Sequence, residues 1–298
     1  MSKEKINIGI IGIGRWGSKL ADIFSEEATV AAFVSKSSSH IDTFQKKHPH
    51  AVHYATIENL LSDERIEALV IATPIETHYE IALQCLKHKK HVFIEKPIAL
   101  KTTQVTELLE KSKENNVVLF SGYTFLYDPA YVALKGLIKN TPLDEILFSW
   151  NKFGSFKEPG THNLLCHDIA LAVDLVGTLN NQQLLSSSNI IGREDIISAQ
   201  ATSSVGRISF YINRFSLLSE KRIIIKTPHT VYTVSNGIVS SFHSPDTKTI
   251  EFSQPDAPSP LLLECRDFLE KVSEKTYWTR ADGLHDLEVA RFFEKIHS

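Results

Sequence analysis

The sequence predicts an α/β fold: a doubly wound parallel Rossmann sheet over residues 1–122, then a substrate-binding and oligomerisation domain over 123–298 built on an open, mainly antiparallel sheet. Three observations predict it. In the first part of the chain, apolar β-branched runs alternate with amphipathic helical stretches, the pattern of βαβ units. The first of these runs passes straight into Gly12-Ile13-Gly14-Arg15-Trp16-Gly17. From about Asp144 the character changes to short strands punctuated by turns.

Strands are expected over 6–11, 29–35, 68–72, 91–95 and 117–121, with helices over 16–25, 40–47, 57–61, 78–87 and 102–115. Strands this apolar are buried on both faces, as in a parallel sheet covered by its crossovers. In the second half, residues 145–153, 207–214, 221–227, 230–235, 238–242 and 248–252 are rich in β-branched and aromatic side chains. Asn236-Gly237 and Pro245-Asp246 mark turns between them. A helix over 164–176 interrupts these strands, and helices over 261–273 and 283–295 close the chain, with freedom to pack back on the first domain. Ile208, Phe210 and Ile212 alternate with Ser209, Tyr211 and Asn213, whereas Ile223-Ile224-Ile225 is unbroken. One face of the sheet is therefore expected under the domain's own helices. The other is expected against a second subunit, as a homodimer or homotetramer.

Composition excludes several function classes. With 32 Lys and Arg against 35 Asp and Glu, the net charge of -3 lacks the basic footprint of a nucleic-acid partner. The basic run 87–91 follows a helical stretch, where cations suit the helix C-terminus. Cys85, Cys166 and Cys265 form no CxxC and read as reduced thiols. No membrane span is expected, and Met1-Ser2-Lys3-Glu4-Lys5 leads directly into the first strand without a signal peptide. The cytoplasm follows as the expected compartment. His48, His50 and His53 lack acidic or cysteine partners and a helical i,i+4 pair, so no metal is expected.

The glycine loop combines a tight turn, close backbone approach and a helix N-terminus, which together suit a dinucleotide's pyrophosphate. Glu95-Lys96-Pro97 puts a lysine at the C-terminal end of a strand, the sheet edge where open α/β folds bind ligands. The end of the second strand holds Ser35-Lys36-Ser37-Ser38, with no carboxylate until Asp42. Hydroxyls and an ammonium suit a 2′-phosphate, so NADP(H) is favoured over NAD(H). Together these features point to a nicotinamide-dependent oxidoreductase.

Further motifs are Ala72-Thr73-Pro74-x-x-x-His78, Gly122-Tyr123-Thr124-Phe125-Leu126-Tyr127-Asp128-Pro129, Cys166-His167-Asp168 and Asp282-Gly283-Leu284. With the glycine loop and Glu95-Lys96-Pro97, they resemble the glucose–fructose oxidoreductase / inositol dehydrogenase family along nearly the whole chain. The Trp16 variant of the loop and the Thr124–Pro129 segment look most like members acting on sugars or sugar nucleotides. The resemblance implies that Lys96 is catalytic beside the nicotinamide and that His167 is a second acid/base on the substrate side. It implies that Glu95 contacts the nicotinamide ribose, and that Gly12, Gly14, Arg15, Trp16, Gly17, Thr73, Pro74 and His78 join Ser35 and Lys36 around the cofactor. Tyr123 and Asn163 would join Lys96 and His167 around a small-molecule substrate.

Chemistry supports the lysine, because moving a hydride at a carbinol carbon requires a proton to move on its oxygen. The family usually carries aspartate where Asn163 stands; an amide cannot ionise, so only hydrogen bonding remains there. Asn163 is also read as a cap for the helix over 164–176, Asp168 as a local hydrogen-bond partner and Asp174 as solvated. Two other readings stay open. One is a tetrapyrrole reductase of the biliverdin reductase type, similar over Phe33-Val34-Ser35-Lys36 but lacking the motif lysine. The other is a non-catalytic NADP(H)-binding redox sensor.

Overall fold

The computed structural model describes residues 5–154, 157–276 and 283–297, so Asp282 of the last motif lies outside the described residues. The chain divides into two compact units, Met1–Gly122 with Leu261–Asp286 and Tyr123–Pro260 with Leu287–Ser298.

In the first unit, β1 (Asn7–Ile11), α1 (Arg15–Glu27), β2 (Thr29–Val34), α2 (Ser38–Lys47), β3 (Val52–Tyr54), α3 (Ile57–Leu61), β4 (Ala68–Ile71), α4 (His78–Lys87), β5 (His91–Glu95), α5 (Thr102–Asn115) and β6 (Leu119–Gly122) alternate as expected. All strand pairs are parallel, in the order β3-β2-β1-β4-β5-β6. The order reverses between β1 and β4, which makes their C-terminal ends the switch point where ligands bind in such sheets. Every residue of β4 is buried, as a central parallel strand requires. β3 was not anticipated; at three residues it is too short to carry a period.

The second unit opens with α6 (Pro129–Leu137), β7 (Glu145–Phe153) and α7 (Cys166–Val176). β8 (Asn180–Ser188), β9 (Ile196–Ser203), β10 (Gly206–Asn213), β11 (Phe215–Lys226), β12 (Val231–Ser235), β13 (Ile238–Ser244) and β14 (Thr247–Ser253) follow. The sheet order is β14-β13-β12-β11-β7-β10-β9-β8, antiparallel except where β10 runs parallel to β7. β8 and β9 are departures from the sequence reading. β8 is an edge strand, polar apart from Leu184 and Leu185 and without alternation, so its order comes from pairing with its neighbour. β9 buries Ile197, Ala199 and Ala201, and small side chains give a weak periodic signal. α6 was missed too, although Asp128 caps it by accepting from the N–H of Ala130 and Tyr131 ahead of Pro129.

α8 (Pro260–Glu274) packs in the first unit, where Phe268 meets Phe24, Phe93 and Phe120 at ring-centroid distances of 5.7–6.0 Å. α9 (Leu284–Ile296) places Phe292 edge-on against Phe210, which stacks on Phe148 at 5.5 Å in the second unit's core. Ile223 and Ile225 are buried, and Ile224 on the opposite face is half-buried. No helix among the described residues is long and apolar enough to cross a membrane.

Candidate active site

After Ile11 the chain turns through Gly12 at φ +89°, where an added Cβ would stand 2.8 Å from the Ala72 carbonyl oxygen. At Gly17 an added Cβ would lie 1.9 Å from the carbonyl oxygen of Gly12. Loop and helix are pressed together as only glycine allows. Gly14 is the opposite case: an added Cβ there meets nothing within 4 Å. It caps α1 with no side-chain hydrogen bond, and the first turn holds no acidic residue. Room at Gly14 and a first turn of α1 without side-chain cap or acidic residue fit the pyrophosphate of a dinucleotide. At the end of β2, Ser35 is half-buried and accepts from the Ser37 N–H at 3.2 Å, while Lys36 is exposed.

The indole N–H of Trp16 donates to Glu95 Oε1, joining the glycine-loop helix to the end of β5. Burial raises the Glu95 carboxyl above its ordinary value, against the pull of the Lys96 charge and the Trp16 bond. The Lys19 ammonium lies 4.7 Å from the Trp16 ring centroid. Lys96 follows Glu95, half-buried, and a cis peptide bond joins it to Pro97.

His78 is buried at the start of α4, with Nδ1 2.9 Å from the Pro97 carbonyl oxygen and Nε2 2.8 Å from that of Thr73. Burial holds its pKa below the ordinary value. A neutral imidazole donates to one of these carbonyls only. Both ring nitrogens are thus turned to main chain, and His78 ties the loop after β4 to the loop after β5. It positions Thr73-Pro74 and Lys96-Pro97 instead of presenting its own nitrogens to a ligand.

In the second unit, α7 is preceded by a π-helical turn, Thr161–Leu165, so Asn163 lies inside this turn and does not cap the helix. His167 is buried on α7. Its ring meets Phe125 edge-on at 5.0 Å and lies 5.9 Å from Trp150 and 6.4 Å from Tyr123. Asp168, the next residue, accepts from the ammonium of Lys221. Lys221 stands in register with Trp150 across β11 and β7. Its Nζ lies 3.9 Å from the Trp150 ring centroid and 4.6 Å from that of Phe125. Burial pushes Asp168 up and Lys221 down, each towards its neutral form, and their attraction opposes both shifts.

Sequence reasoning missed Lys221 and Trp150, because a lysine near the middle of a strand shows its partners only once the register is known. Asp174 is likewise not simply solvated: it accepts from the Tyr131 hydroxyl at 2.7 Å and pairs with Lys135 at 2.8 Å.

Among the described residues no group of three or more His, Cys, Asp or Glu stands where it could hold a metal ion. His48 Nε2 lies 3.3 Å from Asp22 Oδ1, and His53 Nε2 lies 3.3 Å from the Ser35 carbonyl oxygen. Cys85, Cys166 and Cys265 are buried and in no disulfide; burial pushes the Cys85 thiol up to about 12.

Residues 6–123 match the model of an oxidoreductase family with an NAD-binding Rossmann fold. Myo-inositol 2-dehydrogenase of Thermotoga maritima is 29% identical over 137 residues, which is 45% of this chain and 41% of that enzyme. The chain thus aligns with about four tenths of the length of the curated relatives it matches. UDP-N-acetylglucosamine 3-dehydrogenase GnnA from Acidithiobacillus ferrooxidans has the same fold, with a TM-score of 0.88 at 18% identity over 99% of this chain and 97% of that one. So does KijD10, a 3-ketoreductase from Actinomadura kijaniata in complex with TDP-benzene and NADP, with a TM-score of 0.85 at 15% identity over 99% and 97% of the two chains.

Proposed function

We propose, from a chain whose residues 6–123 belong to the NAD-binding Gfo/Idh/MocA oxidoreductase family, that the protein moves a hydride between nicotinamide and a carbinol or keto carbon of a sugar or nucleotide-linked sugar. The observation that carries this reading is the position of Lys96, directly after Glu95 at the C-terminal end of β5 and near the switch point of the sheet. When bound, nicotinamide accepts or returns the hydride. In the oxidising direction, Lys96 Nζ takes the proton of the carbinol oxygen as the C–H bond breaks; in the reducing direction it gives that proton back to the carbonyl oxygen. His167 is a second proton-exchanging group, and Tyr123 and Asn163 offer hydrogen bonds to substrate.

Gly12, Gly14, Arg15, Trp16 and Gly17 receive the pyrophosphate side of the cofactor, Thr73 and Pro74 its nicotinamide end, and Glu95 a ribose hydroxyl. Ser35 and Lys36 favour the 2′-phosphate, which makes NADP(H) the preferred cofactor and NAD(H) the weaker one. An inositol dehydrogenase among the relatives supports the substrate class. Exposed apolar side chains on the second unit's sheet support a homodimer, or a tetramer of such dimers. Buried thiols support a reducing cytoplasm.

Fluorescence titration with NADPH and NADH, followed by a screen of keto-sugars and nucleotide-linked keto-sugars for NADPH oxidation, tests the proposal. Tight binding without turnover of any of them would replace it with the redox-sensor reading, which Asn163 motivates. Binding of neither nucleotide would remove both.

A further inference from the structure

We propose that Lys221 is a specificity residue that hydrogen-bonds a hydroxyl of a neutral polyol ring beside His167, with Asp168 behind it as a positioning residue. This rests on the sugar reading and names the substrate feature that the second unit recognises.

The accessibility of the pair is asymmetric: the Lys221 side chain is 17% exposed and that of Asp168 only 1%. The carboxylate is sealed, and what access the pair has runs along the lysine side chain. An ammonium has three donors. One goes to Asp168 Oδ1, and the faces of Trp150 and Phe125 hold the charge by cation–π attraction without supplying an oxygen acceptor. Donor capacity beyond the Asp168 bond therefore remains.

The pair as a whole is neutral. A full anion drawn to Lys221 meets the repulsion of Asp168, whereas a hydroxyl accepts from the ammonium with no charge to offset. The same two rings flank His167, and they offer apolar surface to the C–H face of a sugar ring. The lysine is held by strand register with Trp150, so its donor position is set by the sheet.

The test uses the full chain with NADP⁺ and, as probes, myo-inositol, a nucleotide-linked hexose and their monodeoxy analogues. The double variant Lys221→Met/Asp168→Asn removes the hydrogen bond without leaving a buried charge alone. It is expected to lose about tenfold or more in kcat/KM on the parent substrate, mostly through KM, the usual cost of a lost bond to a charged donor. For one monodeoxy analogue, wild type and double variant should agree within about twofold, since the partner hydroxyl is already gone.

Equal losses on every analogue, or an undiminished kcat/KM on the parent, would overturn the assignment while leaving the sugar reading intact. If the double variant melts early, Lys221→Arg carries the test: it keeps the charge but moves the donors, and an unchanged ranking of the deoxy series overturns the assignment. Failure of wild type to bind or turn over any of these polyols overturns the sugar reading itself.

Discussion

Glu95 and Lys96 are neighbours at the end of β5 with different surroundings. Glu95 is buried and bonded to the Trp16 indole, so it fixes geometry; Lys96 is half-buried beside it. Lys96→Ala removes the proposed proton carrier but leaves the Trp16–Glu95 bond and the glycine loop in place. Its turnover is expected to fall by about 10²-fold or more with NADPH affinity nearly unchanged. Stopped-flow turnover within a few-fold of wild type would show that Lys96 carries no proton. At the end of β2, the proposed 2′-phosphate site, Ser35→Asp introduces a carboxylate that would repel a 2′-phosphate and accept from a ribose hydroxyl. The ratio of NADPH to NADH dissociation constants should move towards NADH. A wild type that binds both nucleotides equally would remove the basis for this expectation.

At the scale of elements, the π-helical turn leading into α7 is anchored by the loop between β8 and β9. Thr161 donates from its N–H and hydroxyl to Glu194 Oε2, at 3.1 and 2.5 Å. The adjacent Asp195 accepts from the N–H groups of Ile190, Ile191 and Gly192 at 2.7–2.8 Å and pairs with Arg214 at 2.9 Å. Arg214 also donates to the carbonyl oxygens of Glu158 and Arg193, so one buried guanidinium clasps two loops around the turn. Burial pushes the Asp195 carboxyl up, but the backbone N–H groups and Arg214 outweigh it and hold the carboxyl well below its ordinary value. A depressed folded-state pKa means stability that is present above about pH 4 and lost as pH falls through the folded value. Arg214→Met strands the buried carboxylate and should cost about 3–5 kcal/mol in urea unfolding at pH 7. A loss below about 1 kcal/mol would mean that the three N–H bonds suffice without the cation.

For the whole molecule, the telling feature is apolar surface on the second unit. Leu217 and Leu218 on β11 are 92% and 69% exposed, and Phe153, Phe215 and Ile250 are exposed too. Phe153 and Phe215 are register partners with ring centroids 6.0 Å apart, so part of this surface is contiguous. Exposed apolar patches of this kind mark interfaces, and a second copy fits the two-fold symmetry common to such assemblies. Light scattering at micromolar concentration is expected to give about twice the 33.5 kDa chain mass, or four times it for a tetramer. Leu217→Ser/Leu218→Ser should shift it towards monomer while leaving the fold of the single chain intact by circular dichroism, because neither side chain is buried within the chain. A monomeric wild type would end the proposal.

The parallel half of the fold, the glycine loop and the lysine at the end of β5 are legible in the sequence. Each of these is written in a few consecutive residues: an apolar run, a glycine where backbone meets backbone, a polar pair after a strand. The sequence also announced the later strands that alternate strongly, such as β10. Long-range packing sets the remainder. β8 has no period of its own and exists by pairing with β9. His78, for all its place in a motif, turns both nitrogens to main chain. Lys221 and Asp168 are 53 residues apart and meet only because β11 pairs with β7 and α7 packs beside them. Backbone signals are local because steric and hydrogen-bonding preferences act within a turn or a strand. The pairing of buried charges depends on register between distant segments, and no short window of sequence contains it.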